Sequence, residues 1–118
     1  MDIKLIELIK VREILTKLSK NKFPVKVSYE IAKFLRYTDV EAELYSEQLN
    51  SILEEYKDSN AAAGTFQILP EKIDACNKEL SVLENHIVNI EPLHINVETI
   101  ESVEITPEEI YWLFPIIR

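Results

Sequence analysis

The chain of 118 residues contains one glycine and one cysteine, and each scarcity excludes a class of site. Glycine-rich phosphate-binding loops need several glycines, so Gly64 alone excludes the usual P-loop and dinucleotide-binding fingerprints. Cys76 has no second thiol with which to form an internal disulfide, which favours a reducing compartment. Because Cys76 lies on the apolar stripe of a predicted helix, we expect it to be a buried structural residue.

Long apolar runs are also missing, since no stretch approaches the roughly 20 residues that a membrane-spanning helix needs. The N-terminus is charged from Asp2 and Lys4 onward, which argues against a secretory signal. The chain is 47% hydrophobic and 29% charged, as is typical of a globular protein. Its length predicts a single domain spanning residues 1–118.

Charge is unevenly distributed within a net charge of −8. Residues 1–36 hold nine Lys or Arg and four Asp or Glu, whereas residues 37–118 hold four and seventeen. One interpretation is that the two parts fold against each other. The other is that the basic end meets an acidic partner or the acidic end of another copy. The overall negative charge argues against a general affinity for nucleic acid.

The first predicted helix spans residues 2–20, with apolar residues at spacings of three and four. Ile6 and Ile9 widen the apolar stripe beyond an ordinary amphipathic face, which implies contacts on two sides. Either the helix is sandwiched inside its own domain, or one side faces a partner.

The second predicted helix carries the clearest pattern in the sequence. Alternating spacings of four and three residues define a heptad seam, formed by Ile31, Leu35, Thr38, Ala42, Tyr45, Leu49, Ile52 and Tyr56. A continuous helix over residues 28–57 would be about 45 Å long. The alternative is a kink or restart at Thr38, because Thr38 and Glu41 fit a capping box.

The remainder of the chain predicts shorter elements. Residues 65–69 and 93–97 alternate in polarity and are predicted to pair as a small β-ribbon, and residues 70–86 form a third helix. Thr106, Pro107 and Glu109 mark the start of a short C-terminal helix. The predicted fold class is therefore mainly α (α+β), an antiparallel helical hairpin with a long second helix, a third helix, a two-stranded ribbon and a short C-terminal helix.

Candidate chemistry is sparse. His86, His94 and Cys76 are the only histidines and cysteine, and their spacing matches no common zinc pattern. The acidic residues of the second helix lie mostly off its apolar seam, as expected of a solvated face. We therefore expect no catalytic residue, no cofactor and no metal, and a protein that is not an enzyme.

The C-terminal helix is the main candidate for binding, because a short helix rich in aromatics cannot bury all its sides alone. Its spacing predicts that Ile110, Leu113 and Phe114 face inward. Tyr111 then faces outward, and Trp112 lies at the edge. The alternative is that this helix is only a lid on the core. The residues expected at protein interfaces are Ile6, Ile9, Lys17, Lys20, Tyr111 and Trp112.

The stretch from Leu18 to Lys33 resembles a family of short uncharacterised proteins encoded by tailed bacteriophages. The matching features are a Phe23-Pro24 turn followed by Lys26 and Tyr29 at the start of the long helix. The likeness continues in weakly specific features, which are Glu41, Glu43, Tyr45, Tyr56, Gly64-Thr65-Phe66 and the closing helix from Pro107 to Phe114. The run Ala61-Ala62-Ala63 departs from the family pattern, which is more polar there.

This resemblance implies a phage origin and supplies no catalytic residues. We expect a non-enzymatic virion or assembly component that works in an oligomer with itself or with other phage proteins, located in the virion or the host cytoplasm. The first alternative is a small host-takeover or anti-defence protein that binds and inhibits a host protein. The second is a nucleic-acid-binding accessory protein.

Overall fold

The fold is built on two antiparallel helices, and the computed structural model describes residues 1–57 and 68–117. Two 3-10 turns, Pro70–Lys72 and Phe114–Ile116, precede the third helix and follow the last one. In chain order the remaining elements are β1 (Asp2–Lys4), α1 (Leu5–Leu18), α2 (Val25–Tyr56), α3 (Ile73–Glu84), β2 (Ile87–Asn89), α4 (Val97–Glu101) and α5 (Pro107–Leu113). The mainly helical fold class and the helical hairpin are confirmed.

Helix α1 ends where polar side chains take over its last carbonyl groups. Ser19 Oγ donates to the Thr16 carbonyl at 2.7 Å, and Asn21 Nδ2 donates to the Leu18 carbonyl at 3.1 Å. Pro24 then directly precedes α2, which begins at Val25. Without an internal Gly or Pro, α2 runs for 32 residues, about 48 Å at 1.5 Å per residue.

Thr38 lies within a continuous α2, so the alternative of a restart with a capping box at this position is wrong. Its side chain is buried, and its hydroxyl donates to the Phe34 carbonyl one turn earlier, at 2.7 Å. Arg12 of α1 donates to the same hydroxyl oxygen at 2.6 Å and to the Leu35 carbonyl at 2.6 Å. These bonds satisfy Thr38 inside the helix, which removes its need to act as a cap.

The two-stranded sheet joins the N-terminus to the segment after α3, where the sequence had predicted other strands. β1 pairs antiparallel with β2, and Ile3 lies opposite Val88. The pairing extends to Met1, whose charged amino group donates to the Ile90 carbonyl at 2.7 Å. Residues 2–4 were predicted as helix because Ile3 continues the apolar stripe of α1. Three residues are too few to distinguish the alternation of a strand from the 3.6-residue repeat of a helix.

The predicted strand at residues 93–97 is also wrong. Leu93 forms only an isolated parallel bridge to Ile117, and Asn96 instead caps α4 by accepting from the Glu98 amide at 3.0 Å. Of its predicted partner strand, residues 65–67 lie outside the described part of the chain, and Ile68 bridges to Lys57. The third helix begins at Ile73 after a 3-10 turn and ends at Glu84, so it is shorter than predicted.

Helix α1 is central to the core. It packs against α2 and α3 on one side and against α5 on another, which accounts for its broad apolar stripe. Ile6 and Ile9 are half-buried rather than exposed. The most deeply buried apolar side chains are Leu8, Val11, Leu15, Leu18, Ile31, Phe34, Leu93, Ile100, Leu113 and Ile116.

Among the described residues, none of the helices combines the length and the apolar composition needed to cross a bilayer.

Candidate functional site

Helix α5 begins at a complete capping box, as the sequence predicted. The Glu109 amide donates to Thr106 Oγ1 at 3.2 Å, and the Thr106 amide donates to Glu109 Oε1 at 3.0 Å. Pro107 occupies the first turn, where its missing N–H costs nothing. A helix of seven residues is therefore fixed at its start by its own side chains.

Glu109 also ties α5 to α1. Lys17 Nζ donates to both carboxylate oxygens of Glu109, at 3.2 and 3.0 Å, across 92 positions of sequence. The hydrogen bond from the Thr106 backbone, and then the one from Lys17, lower the pKa of the Glu109 carboxyl. The Glu109 side chain is 12% exposed but the Lys17 side chain is 62% exposed, so only the carboxylate end of this ion pair is shielded from water. At this contact, the basic N-terminal part of the chain therefore pairs with the acidic C-terminal part of the same chain.

The aromatic side chains at this end of the molecule are largely uncovered. Tyr111 is 72% exposed and Phe114 is 64% exposed, whereas Leu113 and Ile116 are buried. The prediction that Phe114 faces inward is wrong, because Leu113 and Ile116 take the inner side at the 3-10 turn Phe114–Ile116. With three residues per turn, that geometry places Ile116 rather than Phe114 in line with Leu113.

Trp112 separates two surface grooves. Its ring meets the Tyr111 ring edge to face, with centroids 5.6 Å apart, and its inner side packs against the core. The lysine groove, of about 200 Å³, is lined by Lys10, Glu13, Ile14, Lys17, Glu108, Glu109 and Trp112. The N-terminal groove, of about 330 Å³, is lined by Met1, Asp2, Ile3, Glu7, Val11, Tyr111, Trp112, Pro115 and Ile116.

The structure brings three of the six predicted interface residues together. Lys17 and Trp112 line the lysine groove, and Tyr111 joins Trp112 in the N-terminal groove. The other three line neither groove: Ile6 and Ile9 are half-buried on α1, and Lys20 is exposed in the turn before α2. We call the exposed surface formed by Tyr111, Trp112 and Phe114 with the two grooves the C-terminal surface.

Groups that could support chemistry lie apart. Cys76 is fully buried, as the sequence predicted, whereas His86 and His94 are exposed. Within residues 1–57 and 68–117, no three His, Cys, Asp or Glu side chains lie close enough together to hold a metal ion. What the C-terminal surface offers is exposed aromatic area, flanked by Lys10 and Lys17 on one side and by Asp2 and Glu7 on the other.

Two features of this surface were missed from the sequence. Phe114 was assigned to the core, although it lies three residues after Tyr111, which was predicted to face outward. The contact between Lys17 and Glu109 left no local signal, because each residue also fits an ordinary helix terminus.

No family model matches this chain, and no curated protein or solved structure matches it either.

Proposed function

We propose that this chain is a non-enzymatic protein of a tailed bacteriophage that acts through protein–protein contacts as a virion or assembly component within an oligomer. The phage origin rests on the resemblance of the stretch from Leu18 to Lys33. The binding role rests on the C-terminal surface, and the partner proposed for it is another phage protein or a second copy.

The observation that carries the binding role is the exposure of Tyr111 and Phe114, which lie three residues apart on one side of the C-terminal end. Large aromatic side chains at the centre of an interface contribute much of its binding energy, and Trp and Tyr are enriched among such residues. The grooves on both sides of Trp112 give a partner side chain a place to pack. Leu113 and Ile116 are buried in the core and the ion pair of Lys17 with Glu109 adds a contact to α1, so the surface is preformed.

The test begins with virions purified from the phage that encodes the chain, in which mass spectrometry should detect the protein. Tyr111→Ala and Phe114→Ala should fold like wild type but lose incorporation, with a binding cost of about 2 kcal/mol or more, roughly thirtyfold in affinity. Trp112 is the only tryptophan, so its fluorescence should shift when the purified chain is mixed with its virion partner.

Val82→Ala is the matched control, because Val82 is equally exposed but lies on α3, away from this surface. Trp112→Ala should lower stability by about 1–2 kcal/mol, less than the 3–5 kcal/mol of a fully buried aromatic, because Trp112 is only partly buried. Absence from virions, with a host protein bound through Tyr111 instead, would favour the host-inhibitor alternative. Incorporation that Tyr111→Ala and Phe114→Ala leave unchanged would remove the role of this surface.

A further inference from the structure

Helix α2 has an exposed face opposite its buried seam. Its members recur at spacings of three and four and lie within an arc of about 100° around the helix. Every one of them is exposed. We call this set the outer face of α2, and it consists of Lys26, Tyr29, Lys33, Arg36, Val40, Glu43, Leu44, Glu47 and Glu54.

The outer face is ordered by charge along the helix. Its first half carries the basic residues Lys26, Lys33 and Arg36, and its second half carries the acidic residues. Val40 and Leu44, which are 61% and 48% exposed, lie between the two halves. Among the ion pairs of residues 1–57 and 68–117, only Glu54 of this face takes part, by pairing with Lys57 at 2.7 Å. The other charges on the face are therefore available to a partner.

We propose that the outer face of α2 binds the same face of a second copy, antiparallel, about a two-fold axis near Val40. In such a pair, residues whose numbers sum to 80 lie level with each other. Lys33 then faces Glu47 of the second copy, and symmetry forms the same contact twice. Lys26 lies level with Glu54, which also pairs with Lys57 of its own chain, and the Val40 side chains meet at the axis.

Charge complementarity selects this occupant and this direction. A parallel pair would place Lys33 beside Lys33 and Glu47 beside Glu47, which is repulsive at both ends. A nucleic acid would suit the basic half but would be repelled by the acidic half of the same face. An antiparallel copy instead places Lys33 opposite Glu47 and Lys26 opposite Glu54, with the Val40 side chains meeting in the middle.

This pairing differs from the proposed function in both its surface and its residues, so either proposal can fail alone. Most of the contacts are exposed charge pairs, which contribute modestly to affinity, so we expect a reversible, concentration-dependent dimer. Each copy carries a net charge of −8, and salt would screen that repulsion as well as the attractive pairs. Charge exchange at matched positions is therefore a sharper test than salt.

The test measures association of the purified chain by sedimentation velocity. Lys33→Glu and Glu47→Lys should each weaken the dimer by roughly tenfold, because two-fold symmetry makes two attractive pairs repulsive. A mixture of the two single variants should form a heterodimer close to wild-type affinity, and so should the double variant K33E/E47K with itself. Both substitutions are on exposed positions, so the helix should remain intact.

Disulfide trapping tests the direction of pairing. Val40→Cys should give a covalent dimer on oxidation, whereas Lys33→Cys should not, because it lies about 21 Å along the helix from its counterpart. Native Cys76 is buried and common to both variants. Tyr111→Ala should leave trapping unchanged, which separates this dimer from the C-terminal surface.

Three outcomes would overturn the proposal. One is a wild-type chain that stays monomeric at high concentration. A monomer that binds a nucleic acid through Lys33 would count as the same outcome. Another is a mixture of K33E and E47K that associates no better than either alone. The third is equal trapping of V40C and K33C, which would indicate a parallel pair or random collision.

Discussion

The two halves of α2 share one periodicity but differ in burial. In the first half, Val27, Ile31, Phe34 and Thr38 are buried. In the second half, residues 39–56, the seam continues through Tyr45, but its members are only half-buried. Helix α3, which packs beside this second half, has one buried residue, Cys76. The heptad pattern therefore reports which side of a helix faces the protein, and not how deeply that side is covered.

The cause of the difference is what lies against each half. The first half packs on α1, whose own buried side chains fill the space between the helices. The second half packs mainly on α3, and an open cleft of about 480 Å³ remains between them, lined in part by Ile52, Val82 and Leu83. All the buried residues of α2 lie in its first half, so stability should be concentrated near the hairpin turn.

The largest expected effect compares two isoleucines at the same heptad position. Ile31 is 1% exposed, whereas Ile52, three heptads later, is half-buried. Ile31→Ala should cost about 3–4 kcal/mol, within the range for a buried isoleucine, and Ile52→Ala roughly 1 kcal/mol. Denaturant melts of the two variants measure the difference directly. Equal costs would mean that the second half of α2 is as well packed as the first.

A smaller effect tests the polar contact that marks the boundary between the halves. Arg12 reaches from α1 to the Leu35 carbonyl, to Thr38 Oγ1 and, at 3.0 Å, to Asp39. Because the Arg12 side chain is only 16% exposed, Arg12→Ala should destabilise the chain by about 2 kcal/mol.

Two further variants control for charge and for helix propensity. Arg12→Lys should recover only part of the loss, since one ammonium group lacks the fork that reaches three acceptors. Arg36→Ala, on the exposed side of the same boundary, should change stability by less than about 0.5 kcal/mol. If Arg12→Lys recovered the full stability, the contact would depend on the positive charge alone and not on the geometry of the guanidinium group.

The features that could be predicted from the sequence are those that depend on residues close together in the chain. The long uninterrupted α2 followed from its seam and the lack of Gly and Pro, and the start of α5 followed from Thr106, Pro107 and Glu109. The outward side of Tyr111 and the edge position of Trp112 followed from helical spacing. In each case, neighbours within one or two turns carry the information.

What could not be predicted depends on contacts distant in sequence. β1 is a strand because its backbone meets β2, more than eighty residues away, and nothing within residues 2–4 separates it from the helix that follows. From local sequence, Thr38 fits the first residue of a helix, but in the structure its hydroxyl accepts a hydrogen bond from Arg12 of another helix. Phe114 is exposed because Leu113 and Ile116 take the inner side, and which of the adjacent residues Leu113 and Phe114 faces inward depends on the core that they meet.

The smallest expected effect concerns the attachment of α5 to the well-covered end of the molecule. Glu109→Gln keeps an acceptor for the Thr106 amide but removes the charge that binds Lys17, so it should cost about 0.5 kcal/mol at neutral pH. Glu108→Gln is the matched control, because it removes the same charge from the same turn without that ion pair.

The pKa of Glu109 is lowered in the folded chain. The stability that the Glu109 carboxylate contributes to the fold is therefore complete above the ordinary glutamate pKa and is lost as pH falls through the folded value. The difference between the two variants should therefore shrink between about pH 5 and pH 3. A difference that stays constant over that range would show that the charge of Glu109 does not hold α5 on α1.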